Sequence, residues 1–515
     1  MRPVPRILPF LLVALGAAAT LPAQAVERTD IPAPGRVRLS FDPKIEAWDD
    51  AFWSGTRRPL GWFLTGDSAG GTIPAVTRLQ QDVRTAGGLP GFVASLGRGA
   101  LFVRSERRIL PITLDYGITK RLAVGVMVPL ERVRVREHFR LDSATANLGA
   151  NPRGGDPTAF NAFFAEFDST LARLDQNIAT GHYGCPGSGA ACVAAQQLSA
   201  QGHSVRQALY DASYGPGAGG YAPFLPTDSS DGGKAIAASV AQIQQQLAND
   251  TVAGFTTGFL LPSQRLDGGA FESLLQDESV GLGSHVFEDT PKFYQWWLGD
   301  VELSATYRAI VTPRYIAAIS GVMRLPTGHR DSPRDPFDLS TGDHQLDLEA
   351  RLTQELSLGR LWLNLSLRGA QQAQGTRSRL VAPPLAFFAP LAADAALRWD
   401  PGDYVAADIA PMYRFNRFFA VGITAGFFTK GRDSYTFQTT QDSVNLAARL
   451  GAPTSAAILD AGTATRYTRM GVAATYAGGL FEGGLSIEQT VSAGGSDVPA
   501  ATVFRLVMRT SRRLF

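Results

Sequence analysis

The sequence predicts an all-β membrane protein, an antiparallel transmembrane β-barrel of about 12 strands with a large, partly helical extracellular loop insert. Three observations predict it. The second half of the 515-residue chain alternates apolar and polar residues with period two, segment after segment. Many of these segments run about ten residues, the length a tilted strand needs to cross a bilayer. Tight turns and long loops join them alternately, as in barrels whose short turns all lie on one side of the membrane.

The alternation is read directly from the residues. Val301, Leu303, Ala305 and Tyr307 share one face, opposite Glu302, Ser304, Thr306 and Arg308. Leu346, Leu348, Ala350 and Leu352 oppose Asp347, Glu349 and Arg351, and Leu361, Leu363, Leu365 and Leu367 oppose Trp362, Asn364 and Ser366. Similar rows begin at Val405, Phe419, Met470 and Phe481, and earlier at Ile112 and Leu122. A further strand is expected at 98–106. The tight turns fall at Thr119-Lys120, Thr312-Pro313, Leu358-Gly359, Asn416-Arg417 and Gly478-Gly479, with Tyr116, Tyr307, Tyr413, Phe415 and Tyr476 beside them as an interfacial girdle. Long loops are expected near 136–296, 327–341, 373–399, 431–464 and 492–500. With an even strand number, both barrel ends lie on the turn side.

Residues 1–25 read as an export signal. Arg2 and Arg6 precede a short apolar run, and Ala23-Gln24-Ala25 is a small-x-small cleavage site. No later stretch has the roughly 18 consecutive apolar residues of a membrane helix. Lys+Arg 48 against Asp+Glu 46 leaves no basic excess for nucleic acid. Cys185 and Cys192, both in the exported part, are expected to form a small loop-stapling disulfide. The terminal Phe515 resembles a barrel assembly signal, although Arg513, Ser511 and Arg509 stand where apolar residues are usual.

The remaining segments are 26–97, a periplasmic extension or plug; 98–136, the first barrel strands; 137–296, a helical, disulfide-containing insert; and 297–515, the other strands. In the insert, Phe160, Phe163, Phe164 and Phe167 share a helical face with Leu171 and Leu174, as do Ile236, Val240, Ile243 and Leu247.

No catalytic constellation emerges. Gly66-Asp67-Ser68 resembles a hydrolase nucleophile loop, but the first histidine is His138, so orders that place His before Ser fail, and no Asp-x-x-His pair lies near the C-terminus. The six histidines lack ligand spacing, and neither a metal nor a cofactor is expected. The informative polar residues are those facing inward: Asp300, Glu302, Arg308, Asp347, Glu349, Arg351, Glu355, Arg360, Arg368 and Asp408. They either pair to fill the interior or line an aqueous route.

Two stretches carry a resemblance. Tyr116–Leu130 (YGITKRLAVGVMVPL), and Gly321–Gly328 (GVMRLPTG) followed by Asp338–Asp343 (DLSTGD), resemble the outer-membrane channel family associated with the MetA pathway of phenol degradation. The matching residues Pro326, Thr327, Gly328, Thr341 and Gly342 are architectural: Pro326 ends strand pairing and the glycines permit a tight rim. The resemblance implies an outer-membrane channel or transporter passing small solutes, aromatic or hydrophobic ones among them. The 137–296 insert departs from the family's short loops. The expectation is therefore a passive channel and not an enzyme, with outer-membrane lipid, the barrel assembly machinery and an unidentified small solute as partners. The alternative is a closed structural or surface-binding barrel whose loop domain engages a partner.

Overall fold

Twelve antiparallel strands close on themselves in this computed structural model, which describes residues 29–67, 72–218, 222–279, 282–284, 295–335, 337–478 and 481–513. The expected export signal, Ser68 and Phe515 lie outside the described residues. The barrel strands are β1 (36–48, in two halves, Arg36–Phe41 and Lys44–Trp48), β2 (Arg98–Gly117), β3 (Leu122–Asp142), β4 (Glu302–Val311), β5 (Tyr315–Arg324) and β6 (Asp347–Leu358). They continue as β7 (Leu361–Gln372), β8 (Tyr404–Arg414), β9 (Phe419–Lys430), β10 (Thr465–Gly478), β11 (Phe481–Gly494) and β12 (Thr502–Arg513). Each pairs with its chain neighbour, and β1 seals the ring between β12 and β2. Val37 sits between Arg512 and Tyr116, and Lys44 between Arg505 and Ile109.

The strand number matches expectation, but its make-up is corrected at one place. Residues 98–106 and 112–116 are one continuous strand, and the twelfth strand comes from 36–48. The segment 26–97 is therefore neither a periplasmic extension nor, for most of its length, a plug. Asp42-Pro43 splits this strand into two halves of six and five residues, each too short to stand out in the sequence. Pro43 cannot donate to a ladder, so regular pairing lapses there, but the register is the same on both sides and Val37, Leu39, Phe41, Ile45 and Ala47 share one face. Ladder contact continues through Asp42 N to Pro111 O at 3.2 Å and Leu506 N to Pro43 O at 2.9 Å.

Every strand presents apolar side chains outward, among them Ile45, Leu114, Val124, Leu303, Ile319, Leu348, Leu367, Ile409, Ile423, Val472, Leu485 and Phe504, all exposed. A continuous exposed apolar wall is unfavourable in water and is the solution the hydrocarbon layer requires. Tyr116, Tyr307, Tyr413, Phe415 and Tyr476 ring the turn end. No described helix is long and apolar enough to cross a membrane.

All long connections leave from the other end, where they build a helical cap. Its helices are α1 (Pro74–Ala86), α2 (Pro157–Ala179), α3 (Ala190–Tyr214), α4 (Asp231–Asn249) and α5 (Gly268–Gln276). The insert proper begins later than expected, because β3 runs on to Asp142. Phe160, Phe163, Phe167, Leu171 and Leu174 of α2 and Ile236, Val240, Ile243 and Leu247 of α4 share one buried core with Leu79 and Val83 of α1. Helix α3 gave little sequence signal, since its buried face includes Ala195, Gly202, Ala208 and Ala212. Small size is what the packing needs there: a Cβ on Gly202 would stand 2.5 Å from Leu171 Cδ2. Cys185 in the α2–α3 connection is bonded to Cys192 in the first turn of α3, Cα–Cα 5.3 Å.

Phe167 is fully buried and stacks on Phe255 at 4.3 Å between ring centroids. Phe167→Ala should cost the cap about 3–5 kcal/mol. Limited proteolysis should then cut within 143–284, while the barrel keeps its heat-modifiable gel mobility. Burial, reinforced by Asp211 and opposed by Arg78, pushes the Asp82 carboxyl on α1 up to about 7. A raised folded value favours the protonated form, so this contribution is present below about pH 4 and lost as pH rises through about 7. Cap protection from protease should fall from pH 5 to pH 8, and Asp82→Asn should flatten that dependence.

Candidate functional site

Alternation dictates the site: if apolar residues face lipid, their neighbours in sequence must face the lumen. On β4–β8 those neighbours are charged, and they converge. Arg324 lies between three acids, with Nη2 2.9 Å from Glu302 Oε1, Nη1 3.0 Å from Asp347 Oδ2 and Nη2 3.6 Å from Glu349 Oε2. Arg351 Nη2 reaches Glu302 Oε2 at 3.3 Å, and its Nε donates to Glu349. The Tyr404 hydroxyl donates to Glu349 and lies 3.4 Å from Arg324. One strand pair further round, Arg368 Nη2 meets Asp408 Oδ2 at 2.8 Å. The opposite wall repeats the pattern, with Arg505–Asp42 and Arg107–Glu131 each at 2.5 Å and Arg38–Asp115 at 2.8 Å.

Of the residues singled out in the sequence, the structure thus brings Glu302, Asp347, Glu349 and Arg351 into one network and pairs Arg368 with Asp408. It adds Arg324 and Tyr404, which the sequence reading missed. Arg324 was legible: it stands inside the GVMRLPTG stretch, at an inward position of the alternation. Tyr404 had no such signal, because it opens a strand whose first recognised alternating residue is Val405. Glu355 faces inward near the turn end. Arg308 occupies the last inward position of β4 before a bulge, its amide donating to Arg121 O at 2.8 Å.

Two residues need correction. Arg360 lies in the exposed β6–β7 turn, where Nη1 reaches the hydroxyl of outward-facing Tyr413 at 3.2 Å. The alternation was extended one residue past the strand end. Asp300 lies in the loop-end rim and not on the lumen wall, because β4 starts only at Glu302.

That rim is the Leu-Pro-Thr-Gly and Ser-Thr-Gly-Asp pair. Asp300 Oδ1 accepts from the amides of Gly328 at 2.8 Å and Thr327 at 3.1 Å. Thr327 Oγ1 donates to Gly299 O at 2.7 Å and Thr341 Oγ1 to Leu298 O at 2.9 Å, while Thr341 Oγ1 accepts from His329 N at 2.8 Å. Burial pushes the Asp300 carboxyl up, against the downward pull of the Gly328 amide. The two segments approach so closely that a Cβ on Gly328 would lie 2.6 Å from Gly342 Cα, and one on Gly342 2.4 Å from Asp300 Oδ1.

The lumen is narrowed at the turn end. Trp362, Met412, Ala410, Ala420 and Ala473 pack inside it, with the Arg414 guanidinium 4.4 Å above the Trp362 ring. The chain before β1 crosses it. Thr29 N and Oγ1 donate to Glu355 Oε1 at 2.8 and 2.9 Å, on a strand five positions round the ring from β1. Asp30 meets Arg38 at 3.0 Å. At the loop end, Trp53, Trp62, Phe63, Phe337, Phe387 and Phe388 form an aromatic cluster, with Phe63 and Phe387 stacked at 3.9 Å. Among the described residues the indole N–H groups of Trp53 and Trp62 meet no hydrogen-bond acceptor. Among the described residues no three His, Cys, Asp or Glu side chains converge as a metal site.

No family model and no curated protein matches the chain. Solved structures do. The chain is similar to an outer membrane channel from Pseudomonas putida F1, at 10% identity over 95% of this chain and 100% of that one, TM-score 0.41. It is also similar to the Ralstonia pickettii toluene transporter TbuX, at 10% identity over 94% and 90%, TM-score 0.31. A third likeness is to the translocator domain of the autotransporter NalP from Neisseria meningitidis, at 6% identity over 92% and 87%, TM-score 0.26. Scores this low give no single neighbour weight, and the barrel stands on its own strand register and apolar wall.

Gly342→Ala should displace the Asp300 carboxylate and loosen the rim. The expected outcome is a loss of about 1–3 kcal/mol, read as a lower temperature for the heat-modifiable gel shift. The same substitution at Gly321, whose Cβ would meet nothing within 4 Å, should leave that temperature unchanged.

Proposed function

We propose that the protein is a passive outer-membrane channel or transporter for small solutes, narrowed at its turn end by the segment that begins at Thr29. The observation that carries this reading is the partial exposure of ionised groups inside the barrel. The side chains of Arg324 and Arg351 keep 23% and 22% of their surface accessible, and those of Arg368 and Asp408 29% and 35%. Charges enclosed by a lipid-facing wall persist only where water or counter-charge reaches them, and here both do. The export signal expected from the sequence, the apolar outer wall and the single-sided long loops support an outer-membrane location, reached with the help of the barrel assembly machinery. No catalytic role is included.

Small hydrophobic or aromatic molecules are the proposed solute class. Trp53, Trp62 and Phe387 remain partly accessible at the loop-end mouth and offer ring faces to a planar apolar solute. The motif resemblance points the same way. A second reading, a closed barrel whose cap binds a partner, is favoured by the packing around Trp362 and the Thr29–Glu355 bridge.

Planar-bilayer conductance separates the two. The full chain should give small, discrete steps, and removal of residues 29–34 should raise the step size severalfold. Arg351→Glu should shift the ion preference towards cations, whereas Arg360→Glu, outside the lumen, should leave it unchanged. A heat-modifiable protein that stays silent both with and without 29–34 would favour the closed barrel.

A further inference from the structure

The hairpin formed by β2 and β3 is longer than any other in the barrel, 20 and 21 residues against 10 to 14 in the later strands. Directly opposed residues share a face, so the register defines its outer surface row by row. Starting from the turn, the rows are Tyr116 with Val124, Leu114 with Val126, Ile112 with Val128 and Leu110 with Leu130. The next row is Arg108 with Arg132, followed by Glu106 with Arg134 and Arg104 with Arg136. Above these come Phe102 with His138 and Ala100 with Arg140, and the ribbon ends with Arg98 opposite Asp142. The face changes from wholly apolar to cationic in a single step.

Between the apolar rows and that end, six arginines (104, 108, 132, 134, 136 and 140) face out against one acid, Glu106, which pairs with Arg108 at 2.5 Å. The inner face of the same ribbon is different: Val103, Ser105 and Val133 are buried, and Arg107 is neutralised by Glu131. Arg104 and Arg136 are exposed, and no ion pair to either occurs among the described residues. Phe102, 58% accessible, stands within the ladder, and Trp296, 49% accessible, lies beside its lowest row, next to Trp297, the partner of Glu131.

Position identifies the occupant. A strand rises about 3.3 Å per residue and tilts by roughly 40°. The first arginine row therefore stands about 5 Å above the last apolar row, and the highest about 25 Å above it. The lowest row lies within the headgroup layer, about 5–8 Å thick, and the higher rows stand progressively outside it. Guanidinium groups bind phosphate oxygens in bidentate fashion, and an anionic membrane surface attracts each of them within a Debye length. A soluble acidic partner would not require the charge to begin at the hydrocarbon edge, with an indole beside it. We propose that this ribbon is a docking ladder for phosphate-bearing headgroups of the outer-leaflet lipid, fixing the barrel's depth and the cap's seat on the membrane. The proposal rests on the membrane-barrel reading but not on conduction.

The test compares the full chain with a variant carrying Arg104→Gln, Arg108→Gln, Arg134→Gln, Arg136→Gln and Arg140→Gln, both in a non-ionic detergent at 0.1 M salt. The probe is bis-phosphorylated lipid A, with fully dephosphorylated lipid A and inositol hexakisphosphate alongside. The full chain should bind the phosphorylated lipid and its heat-shift temperature should rise. The glutamine variant should bind about tenfold more weakly or worse, and the lysine version of the same five positions should keep most of the affinity. Equal binding by the glutamine variant, or equal binding of dephosphorylated lipid A, would overturn the proposal. Full competition by inositol hexakisphosphate would also overturn it, reassigning the ladder to a soluble polyphosphate. Heat-modifiable gel mobility of both proteins, measured first, reports on the barrel itself; its absence in the full chain would sink the membrane reading and the ladder with it.

Discussion

Closure of the backbone hydrogen-bond ring is the constraint on which everything else in this molecule depends. Inside a hydrocarbon layer an unpaired N–H or C=O costs several kcal/mol, so a sheet survives there only without edges. The last edge is removed by β1, a strand interrupted at Asp42-Pro43 that pairs on one side with β12 and on the other with β2. Because this early strand sits between the two ends of the remaining sheet, the chain that precedes it is delivered to the lumen at the turn end. The chain that follows it, residues 49–97, is delivered to the loop end, where it joins the cap. Both the plug at Thr29 and the packing of α1 on α3 follow from where one strand closes the ring.

Closure also decides the chemistry of the interior. Once apolar side chains are assigned to lipid, strict alternation leaves charged residues on the inside, where lone charges are unfavourable. The structure resolves this by pairing. Arg324 and Arg351 share the carboxylates of Glu302, Asp347 and Glu349, and the Tyr404 hydroxyl fills a remaining acceptor position. Such a network specifies one arrangement of strands β4, β5, β6 and β8. At the loop end the same economy of space appears as two glycines, Gly328 and Gly342, with the Asp300 carboxylate gripping the rim.

Much of this was legible in the sequence. The alternating rows from Val301 onward located the later strands, and the phenylalanine and isoleucine spacing located α2 and α4. The lumen face followed from the same alternation, which is why Glu302, Asp347, Glu349 and Arg351 could be named. Where the reading slipped, the cause was local. Asp42-Pro43 interrupted β1 without changing its phase, Pro111 divided β2 into two apparent strands, and the turn at Gly359-Arg360 ended the alternation one residue before it was carried. Helix α3 packs through alanine and glycine, whose burial leaves a weak periodic signal.

Period and polarity, set by covalent geometry, determined by themselves that this chain makes a lipid-facing barrel with a charged interior and a helical insert. A strand's two faces are fixed two residues at a time, so the pattern needs no knowledge of its neighbours. Partnership was decided only by the tertiary structure. That β1 closes the ring, that Arg324 meets three acids from two other strands, and that Thr29 bonds to Glu355, 326 residues away in sequence, depend on register and on the ring's closure. No local window of sequence contains those distances, because hydrogen bonds between strands are set by the whole sheet.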